Sequence, residues 1–325
     1  MTSLISCPKC SRPLTPGHTA WNCAACGTQV EATLGIPSFI PRPDVSALVE
    51  AYPTSSYERL LELVGVDFPE HVSADLLARY HEYRQHTEVR GRTFFRSVFE
   101  RVRREYELGK IRTALVIGSG SGSCLFALAN QFGTVIGIDP SLEDLILARK
   151  VIDERGLGNI VLVHGIAQNM PLPDAAVDFA IAEDVLEHVQ DVEGALRETG
   201  RVLADGGVFA GNSVNRYNLL RPEPHTNVWF LGFVPRRWQD RYAAWRSGFD
   251  GYSRAVNLPS YRTLRRSLRH IGRGARVAFP PMEAYRMPPE LDRVFGALER
   301  IPPLAVPLLW VFPAHLAMAQ RERRR

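Results

Sequence analysis

The sequence has little surplus charge of either sign and contains no internal repeat. Its 39 lysines and arginines are offset by 35 aspartates and glutamates, which leaves a formal net charge of +4 over 325 residues. A balance this even does not require a nucleic-acid partner, although it does not exclude one. The length accommodates one large α/β domain together with a small additional unit.

Cysteine is scarce after residue 26, where Cys124 stands alone. An extracellular disulfide framework would distribute its cysteines over the whole fold. Cys7 lies where a signal peptide would need its apolar core, so no signal peptide is expected. We therefore predict a reducing, cytoplasmic compartment.

Long apolar runs free of proline are also missing. The most apolar stretch covers residues 301–319 and is interrupted by Pro302, Pro303, Pro307 and Pro313. Because proline removes helical hydrogen-bond donors, a straight membrane-spanning helix is not expected here. A buried strand is favoured over contact with a membrane surface.

Changes of pattern divide the chain into three units, residues 1–42, 43–110 and 111–325. The first is short and rich in turn residues, and the second shows helical periodicity up to about Gly109. In the third, β-rich runs alternate with helical periods, which predicts a doubly wound, mostly parallel sheet. The predicted strands are 114–117, 135–138, 160–163, 177–182, 207–210, 275–279 and 308–320, and the predicted helices are 123–131, 142–155, 191–203, 260–271 and 289–300.

Two Cys-x-x-Cys pairs stand in the first unit, at Cys7 and Cys10 and at Cys23 and Cys26. Two such pairs can supply the four thiolates that a tetrahedral zinc ion needs, so we predict a zinc ribbon. Four protein ligands leave no open position, which indicates a structural ion. His18 is a conceivable substitute ligand. We expect chelation to unfold the ribbon and leave the larger domain intact, because separate cores fold separately.

A glycine-rich turn, Gly118-Ser119-Gly120-Ser121-Gly122, lies between a predicted strand and a predicted helix. Glycines let the backbone turn sharply and approach a ligand closely. The next strand ends at Asp139-Pro140, about 20 residues on, where an acidic side chain can accept both hydroxyls of a ribose. Turn and acid together predict a nucleoside site, although Asp139 could instead only cap the helix that follows.

Four further motifs follow in order: Met170-Pro-Leu-Pro-Asp174, Val177-Asp-Phe179, Glu183-Asp-Val-Leu-Glu-His-Val189 and Arg201-Val-Leu-Ala-Asp-Gly-Gly207. Over residues 110–211 this series resembles the class I S-adenosylmethionine (SAM)-dependent methyltransferases of the type-11-like kind. The first forty residues resemble the zinc ribbon found in front of some bacterial methyltransferases. The resemblance implies a Rossmann-like sheet of seven strands and SAM as cofactor.

The same resemblance assigns roles to particular residues. The methionine part of SAM is expected at Gly118, Ser119, Gly120 and Gly122, and its ribose at Asp139 beside Pro140. Ile166 and Ala167 are expected to flank the adenine, and Glu183 and Leu186 to lie beside the cofactor. The family often has an acid at the position of Ile166, so here stacking and backbone contacts must hold the adenine.

The segment 212–259 follows the fifth strand of the sheet and is longer than a structural connection requires. It contains His225, a candidate general base expected to face the SAM methyl group, with Glu223 as a weaker candidate. Its aromatic residues can form an acceptor wall or a helical packing face: Trp229, Trp238, Tyr242 and Trp245. The segment from Asp184 to His188 also resembles a metal-binding stretch in ubiquinone-biosynthesis O-methyltransferases, but metal-free relatives carry similar residues and no metal is predicted there.

These features predict O-methylation of a small-molecule, lipid or glycan acceptor. The first alternative is methylation of rRNA or tRNA, for which the arginine-rich run 262–276 is a candidate contact, and a solvated helix face explains that run equally well. The second alternative is a non-catalytic SAM-binding module, against which the intact glycine turn and Asp139 argue.

Overall fold

The computed structural model describes residues 4–64, 86–272, 274–283, 288 and 290–323. The N-terminal unit is a three-stranded antiparallel sheet of β1 (Ala20–Asn22), β2 (Gln29–Thr33) and β3 (Ile36–Pro37). The remaining strands form one seven-stranded sheet in the order β6-β5-β4-β7-β8-β10-β9. Their bounds are β4 (Thr113–Ile117), β5 (Thr134–Asp139), β6 (Ile160–His164), β7 (Val177–Ala182), β8 (Leu203–Val214), β9 (Arg276–Ala278) and β10 (Ala314–Gln320).

Five neighbouring strands, β4 to β8, are parallel, and β10 runs antiparallel to β8 and β9. This is the predicted Rossmann-like arrangement of seven strands, and the fold prediction is confirmed. The helices are α1 (Ser46–Ala51), α2 (Tyr57–Leu63), α3 (Thr87–Glu105), α4 (Leu125–Ala129), α5 (Leu142–Arg155), α6 (Val192–Val202), α7 (Arg236–Ser247), α8 (Tyr252–Ala255), α9 (Tyr261–Ser267), α10 (Leu291–Leu298) and α11 (Pro302–Val311).

The sheet is covered on both faces, so its central strands are buried almost throughout. Apolar side chains of α3, α4 and α5 pack on one face, in a core that includes Phe95, Leu125 and Leu145. Those of α6 and α9 pack on the other face. Local chemistry sets the helix starts, since Ser141 and Asp191 each accept the backbone N–H three residues on.

The N-terminal unit shares a core with the large domain. Its residues Ile5, Cys7 and Trp21 belong to the same buried cluster as Ala167 and Met170 of the large domain. Backbone hydrogen bonds also cross the boundary, from the N–H of Phe39 to the carbonyl of His164 and from that of Ser6 to the carbonyl of Pro171. The prediction of two separate cores was therefore wrong, because the ribbon has too little apolar surface to bury by itself.

Residues 301–319 differ from the predicted single strand 308–320. The stretch forms helix α11 and then strand β10. Pro302 and Pro303 occupy the first turn of α11, where the backbone N–H groups have no helical partner in any case. Within the described residues, no single helix has the length and hydropathy to span a membrane, although α10 and α11 meet the criterion together as a pair bent by 119°.

Two other predicted regions remain. One contains more regular structure than expected, and the other lies partly outside the described residues. The segment 212–259 continues β8 to Val214 and later forms α7 and α8. The predicted helical region 43–110 contains α1, α2 and α3, while residues 65–85 of it lie outside the described part. Arg273 of the arginine-rich run also lies outside it.

Candidate functional site

The glycine turn follows β4 and adopts backbone angles that favour glycine. The φ angles are +66° at Gly118, +48° at Gly120 and +115° at Gly122. A side chain at position 118 would have to place its Cβ 2.3 Å from a methyl group of Val185. At position 120 a Cβ would meet no atom within 4 Å, so the backbone there is open to a ligand.

Asp139 ties this turn to the end of β5. One carboxylate oxygen accepts from the Gly120 N–H at 2.7 Å and the other from the Ser141 N–H at 2.8 Å. Burial raises the pKa of this carboxyl to about 7, against the two backbone donors, which lower it. Asp139 therefore orders the residue that caps the helix, Ser141, rather than capping the helix itself, and it also positions the glycine turn.

Glu183 directly follows β7 and links three elements: the sheet, helix α3 and the glycine turn. Its carboxylate accepts from the Nε of Arg90 on α3 at 3.0 Å and from the hydroxyl of Ser123. Burial raises the pKa of Glu183, and the Arg90 guanidinium opposes this effect. The main role of this carboxylate is to fasten α3 and the glycine turn to the sheet.

Asp184 is held in an uncommon backbone conformation, with φ at +51°. Its N–H donates to the side-chain oxygen of Asn212 at 2.8 Å, and the Asn212 amide donates back to its carboxylate at 2.5 Å. Such a residue persists only where its surroundings fix it, and functional sites are the usual place. Asn212, on β8, thus orients a carboxylate toward the cleft.

These elements enclose a cleft of about 350 Å³ at the carboxyl ends of β4, β5 and β7. Six of the residues predicted to bind the cofactor line it: Gly118, Ser119, Gly120, Asp139, Pro140 and Glu183. The predicted residues Gly122, Ile166, Ala167 and Leu186 are not among its lining residues; Leu186 is buried in the core. The sequence argument did not assign eight other lining residues among the described part: Thr87, Arg90, Ser121, Ser123, Asp144, Asp184, Val185 and His188.

Ile166 and Ala167 follow β6, the strand next to Asp139. Asp139 is paired in register with His164, and the Gly165 N–H bonds to the Asp139 carbonyl at 3.0 Å. Ala167 is buried and Ile166 remains partly exposed. The turn at residues 165–167 therefore lies at the same edge of the sheet as the cleft. The partly exposed side chain of Ile166 presents an aliphatic surface suited to stacking against a flat ring.

Three side chains linked by hydrogen-bonding contacts adjoin the cleft: His188, His225 and Glu223, the last two of which belong to segment 212–259. The Nε2 atoms of His188 and His225 lie 3.3 Å apart, and the Nδ1 of His225 bonds to the carboxylate of Glu223. The other carboxylate oxygen of Glu223 accepts from the backbone N–H and hydroxyl of Thr226, each at 2.9 Å. His188 lines the cleft, whereas His225 does not and instead contacts His188.

The hydrogen bonds indicate how this pair is protonated. The Nδ1 of His188 faces the carbonyl of Ala255 at 3.0 Å and must carry a proton, so the Nε2 of a neutral His188 is an acceptor. His225 then donates from both nitrogens. Burial lowers its pKa, but the Glu223 carboxylate outweighs burial and raises the pKa to about 9.

The pKa of His188 is lowered, first by desolvation and then by the positive charge on His225. His188 remains exposed to solvent beside the cleft, and there the positive charge on His225 also lowers its pKa. Glu187, buried below the pair, has its pKa raised to about 8 by burial and so is mostly protonated at neutral pH. The site therefore pairs a neutral His188 with a cationic His225.

The four N-terminal cysteines converge as predicted. Their sulfur atoms all lie within 4.8 Å of one another, with 3.6 Å between Cys7 and Cys26 and 3.5 Å between Cys10 and Cys23. A zinc ion bound at about 2.3 Å by four thiolates needs sulfur separations of just under 4 Å, so the geometry fits. Among the described residues this is the one cluster of metal-ligating type, and it contains neither His18 nor Asp184 to His188.

The large aromatic side chains of segment 212–259 lie mostly on the outer surface. Trp245 is 75% exposed and stacks with Arg246, and Trp238 is 45% exposed beside Arg241. None of the four predicted wall residues lines the 350 Å³ cleft. The interior of the segment is instead packed around Val228, Leu231 and Tyr252.

Comparison with known proteins gives a consistent result. The family model described as a methyltransferase domain matches residues 115–211. An aklanonic acid methyltransferase of a Streptomyces strain is 30% identical over 49% of this chain and 78% of its own length. A demethylmenaquinone methyltransferase of Geobacillus kaustophilus is 34% identical over 34% of this chain and 48% of its own length.

An uncharacterized methyltransferase of Bacillus subtilis is 29% identical over 45% of this chain and 60% of its own length. Its crystal structure covers 70% of this chain and 99% of that chain, with 18% sequence identity and a TM-score of 0.45. The chain spans less than two thirds of the length of the Bacillus subtilis protein and of the Geobacillus enzyme.

Proposed function

This chain belongs to the SAM-dependent methyltransferase family, and from that premise we propose that it methylates an oxygen atom of a small-molecule, lipid or glycan acceptor. One observation carries the proposal: the glycine turn held by Asp139 and the neutral histidine His188 line the same cleft. A bound nucleoside cofactor and a proton acceptor would thereby lie side by side.

The cofactor side of the proposal rests on backbone and carboxylate positions. The open backbone at Gly120 would admit the methionine part of SAM, and Asp139 would accept from the ribose hydroxyls. Ile166 and Ala167 would flank the adenine without an acidic partner at that point. When bound, SAM supplies an electrophilic methyl group on a sulfonium, so the protein needs mainly to align the acceptor and exclude water.

The acceptor side rests on the histidine pair. We assign the base to His188, because its Nε2 is an acceptor and its lowered pKa keeps it neutral at pH 7. The long contact of 3.3 Å to His225 can be exchanged for an acceptor hydroxyl. Asp184 and Glu223 both raise the pKa of His188 and so favour uptake of the proton. His225 is then a positioning residue, and its own role as base is the alternative.

The names of two relatives support a small-molecule acceptor: one is a demethylmenaquinone methyltransferase and the other an aklanonic acid methyltransferase. Four of the five cysteines converge as candidate zinc ligands, and on that ground we propose a reducing, cytoplasmic compartment. A screen with isotope-labelled SAM on lipid, metabolite and RNA fractions would identify the acceptor. Label appearing in RNA alone would replace this proposal with the rRNA or tRNA alternative.

We expect calorimetry to show binding of SAM and of its demethylated product, and two variants to weaken it. Asp139→Ala removes a carboxylate that orders the Gly120 N–H, and a hydrogen bond to a charged group is worth about 1.5–3 kcal/mol, or roughly tenfold to a hundredfold in affinity. Gly120→Val places a branched side chain on an open backbone with φ of +48° and should also weaken binding.

Asp174→Ala serves as the control, since Asp174 is an exposed carboxylate that pairs with Arg201, and neither residue lines the cleft. Its SAM affinity should match that of the unmodified protein. Unchanged affinity in both Asp139→Ala and Gly120→Val would remove the cofactor assignment.

A further inference from the structure

Helix α11 presents an apolar surface that no other described element covers. Its sequence is entirely apolar, yet Leu304 is 57% exposed, and Trp310 and the preceding Ile301 are also exposed. Only Ala305 and Leu309 of this helix are buried. Exposed aliphatic and indole groups clustered on one helix mark a contact surface rather than scattered surface residues.

Two further exposed leucines, in the segment that follows β8, adjoin the carboxyl end of α11. The Leu219 N–H bonds to the carbonyl of Val311 at 3.1 Å, so Leu219 and Leu220, both exposed, adjoin the end of α11. Tyr217 then contacts Phe233, with ring centroids 5.3 Å apart. We call Leu219, Leu220, Ile301, Leu304 and Trp310 the apolar face.

A positively charged groove of about 960 Å³ lies between α9 and α11, beside the apolar face. Arginines from α9 and its surroundings line it, and we call these the arginine groove: Arg216, Arg262, Arg265, Arg266 and Arg269. The Arg262 guanidinium lies over the Trp310 ring, 6.0 Å from its centroid, so the groove and the apolar face are contiguous.

Most of this charge is not neutralised by the protein. Glu193 pairs with Arg266 at 3.7 Å and with His270 at 3.0 Å. Asp191 is used to cap α6. Arg262, Arg265 and Arg269 form no ion pair with any residue in the described ranges, which leaves a concentrated positive charge open to an anion.

We propose that the apolar face and the arginine groove together bind the surface of an anionic lipid bilayer. Aliphatic side chains and an indole ring would enter the interface, while the arginines meet the phosphates of the lipid headgroups. Nucleic acid offers phosphates and base rings, but it gives exposed Ile301 and Leu304 nothing apolar of comparable extent to contact. The inference is independent of the proposed methyl transfer.

Flotation of the full-length protein with vesicles tests this proposal. We expect binding to phosphatidylcholine vesicles that contain phosphatidylglycerol, much weaker binding to phosphatidylcholine alone, and release by high salt. Leu304→Glu should lower the partition coefficient about tenfold or more, as expected for losing one buried leucine. The double variant Arg262→Glu, Arg265→Glu should lower it at least about thirtyfold, since each arginine contributes about fivefold near the surface and the substitution also reverses its charge.

Matched controls separate these effects from general changes of charge or hydropathy. Val89→Glu alters a residue of α3 that is 61% exposed, and the double variant Lys110→Glu, Arg112→Glu reverses two exposed charges that precede β4 and do not line the arginine groove. Both should bind vesicles normally. Ile301→Glu, at a second exposed position, replaces Leu304→Glu if that variant does not fold.

Each result decides the question. Lack of vesicle binding, or binding that Leu304→Glu and Ile301→Glu leave unchanged, would overturn the proposal. Binding of single-stranded RNA that depends on Arg262 and Arg265 but not on Leu304, without binding to vesicles, would identify the groove as a nucleic-acid site instead.

Discussion

Replacing His188 with alanine should lower turnover by about a hundredfold to ten-thousandfold, the range that a positioned general base contributes. The reason is geometric: His188 lines the cofactor cleft, and its Nε2 is the acceptor of the histidine pair. SAM affinity should stay within a small factor, because Gly120 and Asp139 remain in place. The measurement is turnover on the acceptor found by the labelling screen, together with calorimetry of SAM.

The variant His225→Gln distinguishes a positioning residue from a base. Its loss of turnover should be smaller than that of His188→Ala. The positive charge on His225 lowers the pKa of His188, so removing that charge should raise the pKa of His188 and move the acid limb of the pH–rate profile to higher pH. Nuclear magnetic resonance of the His188 ring gives the same pKa without any acceptor.

The pH profile of the unmodified protein separates the two assignments. With His188 as base, the rate rises through a pKa below the ordinary value of 6.5 and is level at neutral pH. With His225 as base, the rate rises through about pH 9, because His225 carries its proton below that value. A rise near pH 9, together with near-normal turnover in His188→Ala, would transfer the role to His225.

Removing zinc should affect both stability and cofactor binding. We expect about one zinc per chain, and the double variant Cys7→Ser, Cys10→Ser should contain none. Structural zinc contributes several kcal/mol to folding, and about 1 kcal/mol shifts the Tm of a domain of this size by about 2–4 °C, so Tm should fall by roughly 10 °C.

SAM affinity should fall as well, because Cys7 and Cys23 share a core with Met170 and with Ala167, which we propose flanks the adenine. Cys124→Ala is the control: Cys124 is buried away from the cysteine cluster, and its zinc content should be unchanged. A full zinc complement in the Cys7→Ser, Cys10→Ser variant would show that other residues bind the ion. Zinc-free protein with normal SAM affinity would show that the ribbon is uncoupled from the cofactor site.

Local patterns in the sequence determined most of the sheet and the cofactor side of the site. Parallel strands are buried on both faces and so appear as short apolar runs, which is why β4, β5, β6 and β7 were predicted within two residues. The distance from the glycine turn to Asp139 is set by one helix and one strand, so their meeting could be predicted too. The cysteine pairs converge for the same reason, since each knuckle is a local turn.

Tertiary structure alone decided the acceptor side and the helical part of residues 301–319. That run is apolar at nearly every position, so it lacks the period that tells a helix from a buried strand, and its surroundings made it α11. His188 and His225 are 37 residues apart, and no local pattern indicates that their rings meet. Which histidine lines the cleft depends on how segment 212–259 folds back over β7 and β8, where the Asn257 N–H bonds to the Glu187 carbonyl at 2.6 Å. Such a long-range contact depends on the packing of the whole domain, which the spacing of residues along the chain does not encode.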